Sequence, residues 1–126
     1  MVIRESFSAG QDFTTADQYK AVKIDSTDTT DSRLACELAG AGNVAMGILQ
    51  TTELTGYEVK VVTAGATKAM AGAAISDLTK PCKINASGKV ISVTTDKDFY
   101  LGWPKSVATA DGDIIELFVA PGYYAA

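Results

Sequence analysis

Apolar and polar residues alternate along several short stretches of the chain, and glycine-containing turns separate these stretches. In residues 57–63 the odd-numbered positions are tyrosine, valine, valine and threonine, with Glu58 and Lys60 between them. Such alternation is typical of a β-strand with one buried face. Short strands at intervals of about 8–12 residues predict an all-β fold, either a small β-sandwich or a small barrel.

Seven further stretches are predicted to form strands, because each is short, rich in apolar residues and bounded by turn residues. They are residues 19–25, 33–37, 44–49, 82–84, 90–94, 99–103 and 113–119. The alanine-rich residues 66–78 are interrupted by Gly72, which favours strand or irregular structure over a helix.

Two strand ends and one buried strand are also predicted. We expect Gly65 to close the strand that begins at Tyr57, and Pro121 with Gly122 to close the last strand. Ile114 and Phe118 make the second face of that last strand apolar as well, which predicts burial on both sides.

A pattern of glycines and strands occurs twice in the chain. In both Gly47–Gly65 and Gly102–Gly122, two glycines flank a variable connection, and an alternating strand and a closing glycine follow. The two segments are separated by 55 residues, and KAVKIDS at 20–26 resembles KPCKINA at 80–86 with a separation of 60. The sequence therefore predicts a fold built from two degenerate repeats, residues 19–65 and 79–122, within one β domain, 19–126.

Both cysteines fall at apolar strand positions of this repeat. Cys36 corresponds to Ile91 and Cys82 to Val22, so each cysteine is predicted to be a small core residue. A disulfide is not expected in a reducing compartment. The chain contains no histidine, and two isolated cysteines do not form a zinc site.

Residues 1–18 are polar, with apolar residues scattered at no fixed period. We expect this segment to be an extended N-terminal arm outside the core. Two interpretations are open: a disordered terminus, or a segment that becomes ordered against a partner, with Phe7 and Phe13 as anchors.

The sequence offers little support for catalysis. Without histidine, Ser-His-Asp and Cys-His mechanisms and histidine-ligated metal sites are excluded. Most carboxylates fall in predicted turns, and no spacing places two of them in one cleft. We therefore predict that the chain is not an enzyme and uses no cofactor.

Two local patterns are weak candidates for ligand sites. Asp25, Asp28 and Asp31 recur every third residue, whereas a calcium loop needs acids at alternate positions, a central glycine and a terminal glutamate. A solvated polar loop is favoured. Gly40-Ala41-Gly42 precedes a predicted strand, whereas a dinucleotide-binding fingerprint opens a helix, so that reading is rejected.

The charge balance also limits the partners. The net charge is −4 and there is no run of basic residues, which argues against nucleic acid. No apolar run approaches the roughly 18 residues of a membrane helix. The N-terminus has no apolar stretch of signal-peptide length, so we expect synthesis in the cytoplasm without export.

Aromatic residues are the remaining candidates for recognition. They could form a sugar-binding platform, although aromatic residues of a small β domain more often lie in its core or at an interface. The set comprises Tyr57, Tyr100, Trp103, Tyr123 and Tyr124.

Several segments together resemble the small capsid decoration proteins of tailed bacteriophages, which are also called head-stabilising or cement proteins. The resemblance covers about residues 19–120 and rests on turn-and-strand motifs. Leu117 departs from the pattern, which has valine there. The matching segments are Gly47–Gln50, Gly56–Val61, Gly65 with Lys68, Ala71–Ile75, and Gly102 with Ala110–Leu117.

The resemblance implies a non-enzymatic β protein of the virion, bound to the outer surface of the capsid. Its partner would be the major capsid protein, whose subunits it would bridge, and it would be a homo-oligomer, with a trimer favoured. We expect Ile3, Phe7 and Phe13 of the arm to contact the capsid, and Trp103, Tyr123 and Tyr124 to lie at an interface. Two alternatives stay open: another virion component, such as a head fibre base or a tail protein, and a carbohydrate-binding surface module.

Overall fold

The computed structural model describes residues 2–26, 34–94 and 98–125. Within these residues the chain forms nine β-strands and one 3₁₀ turn (Thr15–Asp17), which confirms the all-β prediction. The strands are β1 (Ile3–Ala9), β2 (Ala21–Ile24), β3 (Ala35–Leu38), β4 (Gly47–Leu49), β5 (Glu58–Met70), β6 (Cys82–Ile84), β7 (Val90–Ser92), β8 (Phe99–Pro104) and β9 (Ile114–Tyr123).

The strands close into two small rings that share β5. Hydrogen-bonded neighbours follow the order β1-β3-β2-β4-β5, and an additional β1–β5 pairing closes these five strands. The order continues from β5 through β9, β8 and β6 to β7. A parallel bridge between Ala71 and Val90 then brings β7 back to the chain just beyond β5. Of the two predicted architectures, these rings correspond to small barrels.

Strand β5 continues through the residue that was expected to end it. Gly65 has a φ of 95°, which glycine adopts without steric cost. Residues 58–64 pair with β1 and β4, and residues 65–70 pair with β9. The prediction of a strand end at Gly65 is therefore wrong, because the next residues find a new partner strand.

The sequence repeat is visible in the backbone hydrogen bonds. Ala9 exchanges two of them with residues 56–57, and Ala71 exchanges the same two with residues 112–113. Strand β1 therefore corresponds to the second half of β5. Unit 1 consists of β1–β4 with the first half of β5 (to Ala64), and unit 2 of the second half of β5 (from Gly65) with β6–β9.

Residues 2–18, the described part of the predicted arm, do not lie outside the core, and this expectation is corrected. Strand β1 pairs antiparallel with β5 and parallel with β3, so it completes the ring of unit 1. Ser8 and Ala9 are buried, and Phe13 is 5% exposed within the core. The segment escaped recognition because only the end of β1 is buried, whereas residues 3–6 are exposed.

Each ring encloses its own apolar interior. In unit 1 the interior cluster comprises Ala9, Phe13, Val22, Cys36, Leu49, Val59 and Val61. In unit 2 the equivalent positions within a larger cluster are Ala71, Ile75, Cys82, Val90, Ile115 and Leu117. The larger cluster also contains residues of unit 1, so it joins the two units: Ala21, Ala39, Ala45, Ile48 and Val62.

The prediction that both cysteines are core residues is confirmed, with one shift of register. Cys36 and Cys82 are fully buried and free. Cys82 corresponds to Val22, as predicted. Cys36 corresponds to Val90 and not to Ile91. In unit 1, Ile24 on β2 pairs with Cys36 on β3, and in unit 2 the equivalent Ile84 on β6 pairs with Val90 on β7.

Burial raises the pKa of both cysteine thiols to about 12, and nearby Asp25 and Glu37 add to the effect at Cys36. Because the thiolate is the reactive form, both cysteines should stay unmodified by a thiol reagent at pH 8 while the protein is folded. Both should react within minutes in denaturant, as measured with Ellman's reagent. Rapid modification of two thiols in the native protein would contradict this burial.

Two equivalent glycines allow close approach of neighbouring strands. A Cβ atom added at Gly47 would overlap the carbonyl oxygen of Val62, and one added at Gly102 would overlap that of Phe118. At Gly40, by contrast, an added Cβ would meet its nearest neighbour at 3.4 Å, an ordinary contact distance.

We expect Gly47→Ala and Gly102→Ala each to lower the free energy of unfolding by about 1–3 kcal/mol or more, because the paired strand must move. Gly40→Ala is the matched control and should change it by less than about 0.5 kcal/mol. Urea denaturation measures all three. Equal stability of the three variants would show that close approach at residues 47 and 102 does not constrain the fold.

Candidate interaction surface

The described residues contain little that could carry chemistry. Among them, no group of three or more cysteine or acidic side chains is placed to hold a metal ion. Asp25 is 6% exposed, and its backbone N–H donates to the Ala35 carbonyl. Asp28 and Asp31, the other members of the acidic pattern, lie outside the described residues. In the described part of the chain, no helix is both long and apolar enough to cross a membrane.

Asp12, Asp77 and Asp113 each accept hydrogen bonds from a threonine in a turn. Asp12 accepts from the backbone and side chain of Thr55. These bonds hold the pKa of Asp12 below its ordinary value, and Asp77 and Asp113 are lowered in the same way by neighbouring threonines. A general acid at neutral pH needs a raised pKa, so the lowered values do not suit these carboxylates to that role. Their hydrogen bonds make them acceptors that close turns.

A cavity of about 410 Å³ lies between the two units. It is bordered by the turn at 41–43 and by the β6–β7 hairpin. Its charged lining is the ion pair between Lys83 Nζ and Asp98 Oδ2, which lie 2.7 Å apart. The two charges satisfy each other, so they point to no particular ligand.

An exposed aromatic cluster lies on the outward face of unit 2, and we call it the aromatic face. It consists of Tyr100, Trp103 and Phe118. Trp103 and Phe118 are cross-strand partners on β8 and β9. The rings of Tyr100 and Trp103 meet edge to face with centroids 5.6 Å apart. Trp103 is 36% exposed and Phe118 is 46% exposed.

The exposure of this face corrects the prediction for β9. The strand does not end at Pro121 and Gly122 but runs to Tyr123. From Ile114 to Val119 its residues alternate between exposed and buried, and Ile114 and Phe118 are each 46% exposed. The prediction of burial on both sides is wrong. Among the described strands, β9 pairs at its edges with β5 and β8, and the face that carries Ile114 and Phe118 stays open.

Charged residues border the aromatic face. On β5, Ala66 is the cross-strand partner of Phe118, and Lys68 is the cross-strand partner of Glu116. The backbone N–H of Lys105 donates to the carbonyl of Glu116 at 2.8 Å. Ala66, Lys68, Lys105 and Glu116 line one shallow depression. The surface thus combines an apolar patch with a rim of both charge signs.

The other predicted aromatic contacts are dispersed. Tyr123 is 68% exposed and meets Phe99 edge to face at 5.6 Å. Phe99 and Tyr100 are successive strand residues, so the two aromatic pairs lie on opposite faces of β8. Tyr124 is partly buried, and its N–H donates to the Asp98 carbonyl. Tyr57 precedes β5 in unit 1 and takes no part in the aromatic face.

The predicted arm contacts differ in accessibility. Ile3 is 39% exposed at the start of β1. Phe7 is partly buried against the interior of unit 1, and Phe13 is inside it. Phe13 therefore serves the core in this conformation, whereas Ile3 presents an accessible apolar side chain.

Sequence reasoning missed Phe118 as a surface residue. Its pairing with Trp103 depends on the register of β8 and β9, which the hydrophobic pattern alone does not give. The available signal is the equivalence of Gly47 and Gly102. The residues that follow them, Ile48 and Trp103, lie at equivalent positions on this face. That signal identifies the position but not its exposure.

Asp113 Oδ2 accepts hydrogen bonds from the backbone and hydroxyl of Thr109, both at 2.8 Å, and from the Ala110 N–H. The folded pKa of Asp113 is lowered from its ordinary 3.8, so its stabilising effect is present above that value and is lost as the pH falls through the folded pKa. Thr109→Val should raise the pKa of Asp113, measured by NMR titration, and destabilise the fold less at acid pH than at neutral pH. Asp12, which uses Thr55, is the internal control. An unchanged Asp113 titration would contradict the role of the hydroxyl.

Comparisons with known proteins add a likeness of fold. No model of a protein family and no curated protein sequence matches the chain. A solved structure of similar fold is the crystal structure of the head fibre gp8.5 N base of bacteriophage phi29. The superposition has a TM-score of 0.71 with 13% sequence identity, and it covers 95% of this chain and 95% of that chain. At this identity the likeness establishes the fold alone.

Proposed function

We propose that the chain is a non-enzymatic structural protein of a tailed-phage virion, bound to the outer surface of the capsid. The observation that carries the proposal is the fold shared with a phage head fibre base along nearly the whole of both chains. The motifs that resemble capsid decoration proteins support it through different evidence, since they are read from the sequence.

The finer proposal is decoration of the capsid. In this role the chain bridges neighbouring subunits of the major capsid protein and stabilises the expanded shell. Many copies on a lattice need only weak individual contacts, because linked contacts give high avidity. The aromatic face supports such a role, since it offers exposed apolar side chains with charges at its rim.

A second candidate is the base of a head fibre. The specific observation in its favour is that the similar solved structure is the N base of a head fibre. Both roles place the chain on the capsid, and they differ in what it carries. A decoration protein ends at its own surface, whereas a fibre base holds a projecting appendage.

The corrected position of β1 changes how the N-terminal contact must be tested. Removing residues 1–18 would take away β1 and the buried Phe13, so lost binding would not distinguish a lost contact from a lost fold. A substitution at the exposed Ile3 leaves the ring intact. Leu54 is exposed in a loop of unit 1 and supplies the control.

We expect the purified chain to co-sediment with expanded capsids that lack it, and not with immature capsids of the same phage. Ile3→Ser should weaken this binding about tenfold if β1 contacts the shell, whereas Leu54→Ser should leave it unchanged. Electron microscopy of virions carrying a labelled chain then separates the two roles. Compact knobs indicate decoration, and label at the foot of projections indicates a fibre base. Absence of binding to either form of capsid would refute the proposal.

A further inference from the structure

We infer that the aromatic face of unit 2 binds a second copy of this chain. The inference rests on the packing of the two units and does not depend on the proposed role on a capsid. It assigns a partner to Trp103 and Phe118, which among the described residues are the largest exposed apolar pair joined across two strands.

The repeat identifies which positions of unit 1 correspond to this face. In unit 1, Ile48 on β4 is the cross-strand partner of Val62 on β5. In unit 2, Trp103 on β8 is the partner of Phe118 on β9. Gly47 and Gly102 precede Ile48 and Trp103, and each approaches the carbonyl of the facing residue in the same way. The two pairs are therefore equivalent.

The equivalent pair in unit 1 is covered. Ile48 and Val62 are fully buried, and they do not belong to the interior cluster of unit 1. They belong to the larger cluster, most of whose members come from unit 2. Within one chain, this outward face is thus a place where a unit of the same fold packs.

In unit 2 the same face is larger and open. Trp103 replaces isoleucine and Phe118 replaces valine at the equivalent positions, and Ala66 extends the patch on the other side of Phe118. Ala66 is exposed as well. The face that unit 2 covers on unit 1 is therefore left uncovered on unit 2, within the described residues.

The second copy is favoured as the occupant by shape and by charge. A second copy supplies a unit of the fold that already covers this face in unit 1. The rim carries Lys68 and Lys105 against Glu116, whereas the whole chain has a net charge of −4. An excess of positive charge at the rim attracts an acidic copy. Packing that repeats the internal arrangement joins unlike surfaces, and such contacts can close into rings.

The test uses the full chain in solution. Sedimentation velocity over a range of micromolar concentrations should show a discrete oligomer for the wild type. Phe118→Lys should weaken self-association at least about 30-fold, because it places a charge at the centre of the contact. Leu54→Lys, at an exposed apolar residue of unit 1, is the matched control and should leave association unchanged.

Trp103 supplies an independent readout, since it is the single tryptophan of the chain. Its emission should move to shorter wavelength, and acrylamide should quench it less, as the protein concentration rises. Both changes should disappear in Phe118→Lys. Circular dichroism checks that the variant is folded. If it is not, Ala66→Arg blocks the same patch from an exposed position without removing a side chain from it.

The outcomes are decisive. A wild type that stays monomeric over the whole range overturns the inference, and so does an oligomer that Phe118→Lys and Ala66→Arg leave intact. A monomer whose Trp103 becomes protected only on adding capsids or a glycan also overturns it, by assigning the face to another partner. Failure to bind capsids has no bearing on this result, so it tests the proposed function separately.

Discussion

The fold depends on β5, the one strand that both rings share. Its 13 residues supply hydrogen-bond partners to β1 and β4 in the first half and to β9 in the second. A buried backbone N–H or C=O group without a partner costs free energy, so neither ring can keep its closure when β5 is absent. The two units therefore depend on the same strand for their closure, although the sequence repeat makes them look independent.

The sharing of β5 also explains why part of the repeat is not visible in the sequence. Matching glycines at 47 and 102 are needed because neighbouring backbone leaves no room for a side chain, so they are visible as a pattern. The first strands of the two units have no such visible match. One lies in the polar N-terminal segment, and the other forms the end of β5. Their common feature is an alanine-glycine pair, Ala9-Gly10 and Ala71-Gly72, which is too short to be distinguished from chance.

The hydrophobic pattern predicted most of the strands, although not β1, and predicted their surroundings poorly. It placed the core of β9 correctly, because Ile115, Leu117 and Val119 face the interior. It could not tell whether the opposite face was covered, because an apolar residue there is consistent with burial by a second layer or with exposure to a partner. Val62 and Phe118 illustrate the two outcomes at one equivalent position. The difference depends on which unit packs next, which is a property of the whole fold and not of the strand.

Comparison of equivalent positions separates the scaffold from the residues that a partner would use. Interior positions are filled by similar residues in the two units, such as Val59 and Ile115, since both rings must be packed. At the outward pair, however, the residues differ: Ile48 and Val62 are buried in unit 1, whereas Trp103 and Phe118 are exposed in unit 2. Scattered exposed apolar residues are ordinary, but an adjoining pair of large ones is not required by folding. Trp103 and Phe118 are already more than half buried, so covering the rest of each gives about 1 kcal/mol, a gain that is realised only when a partner binds.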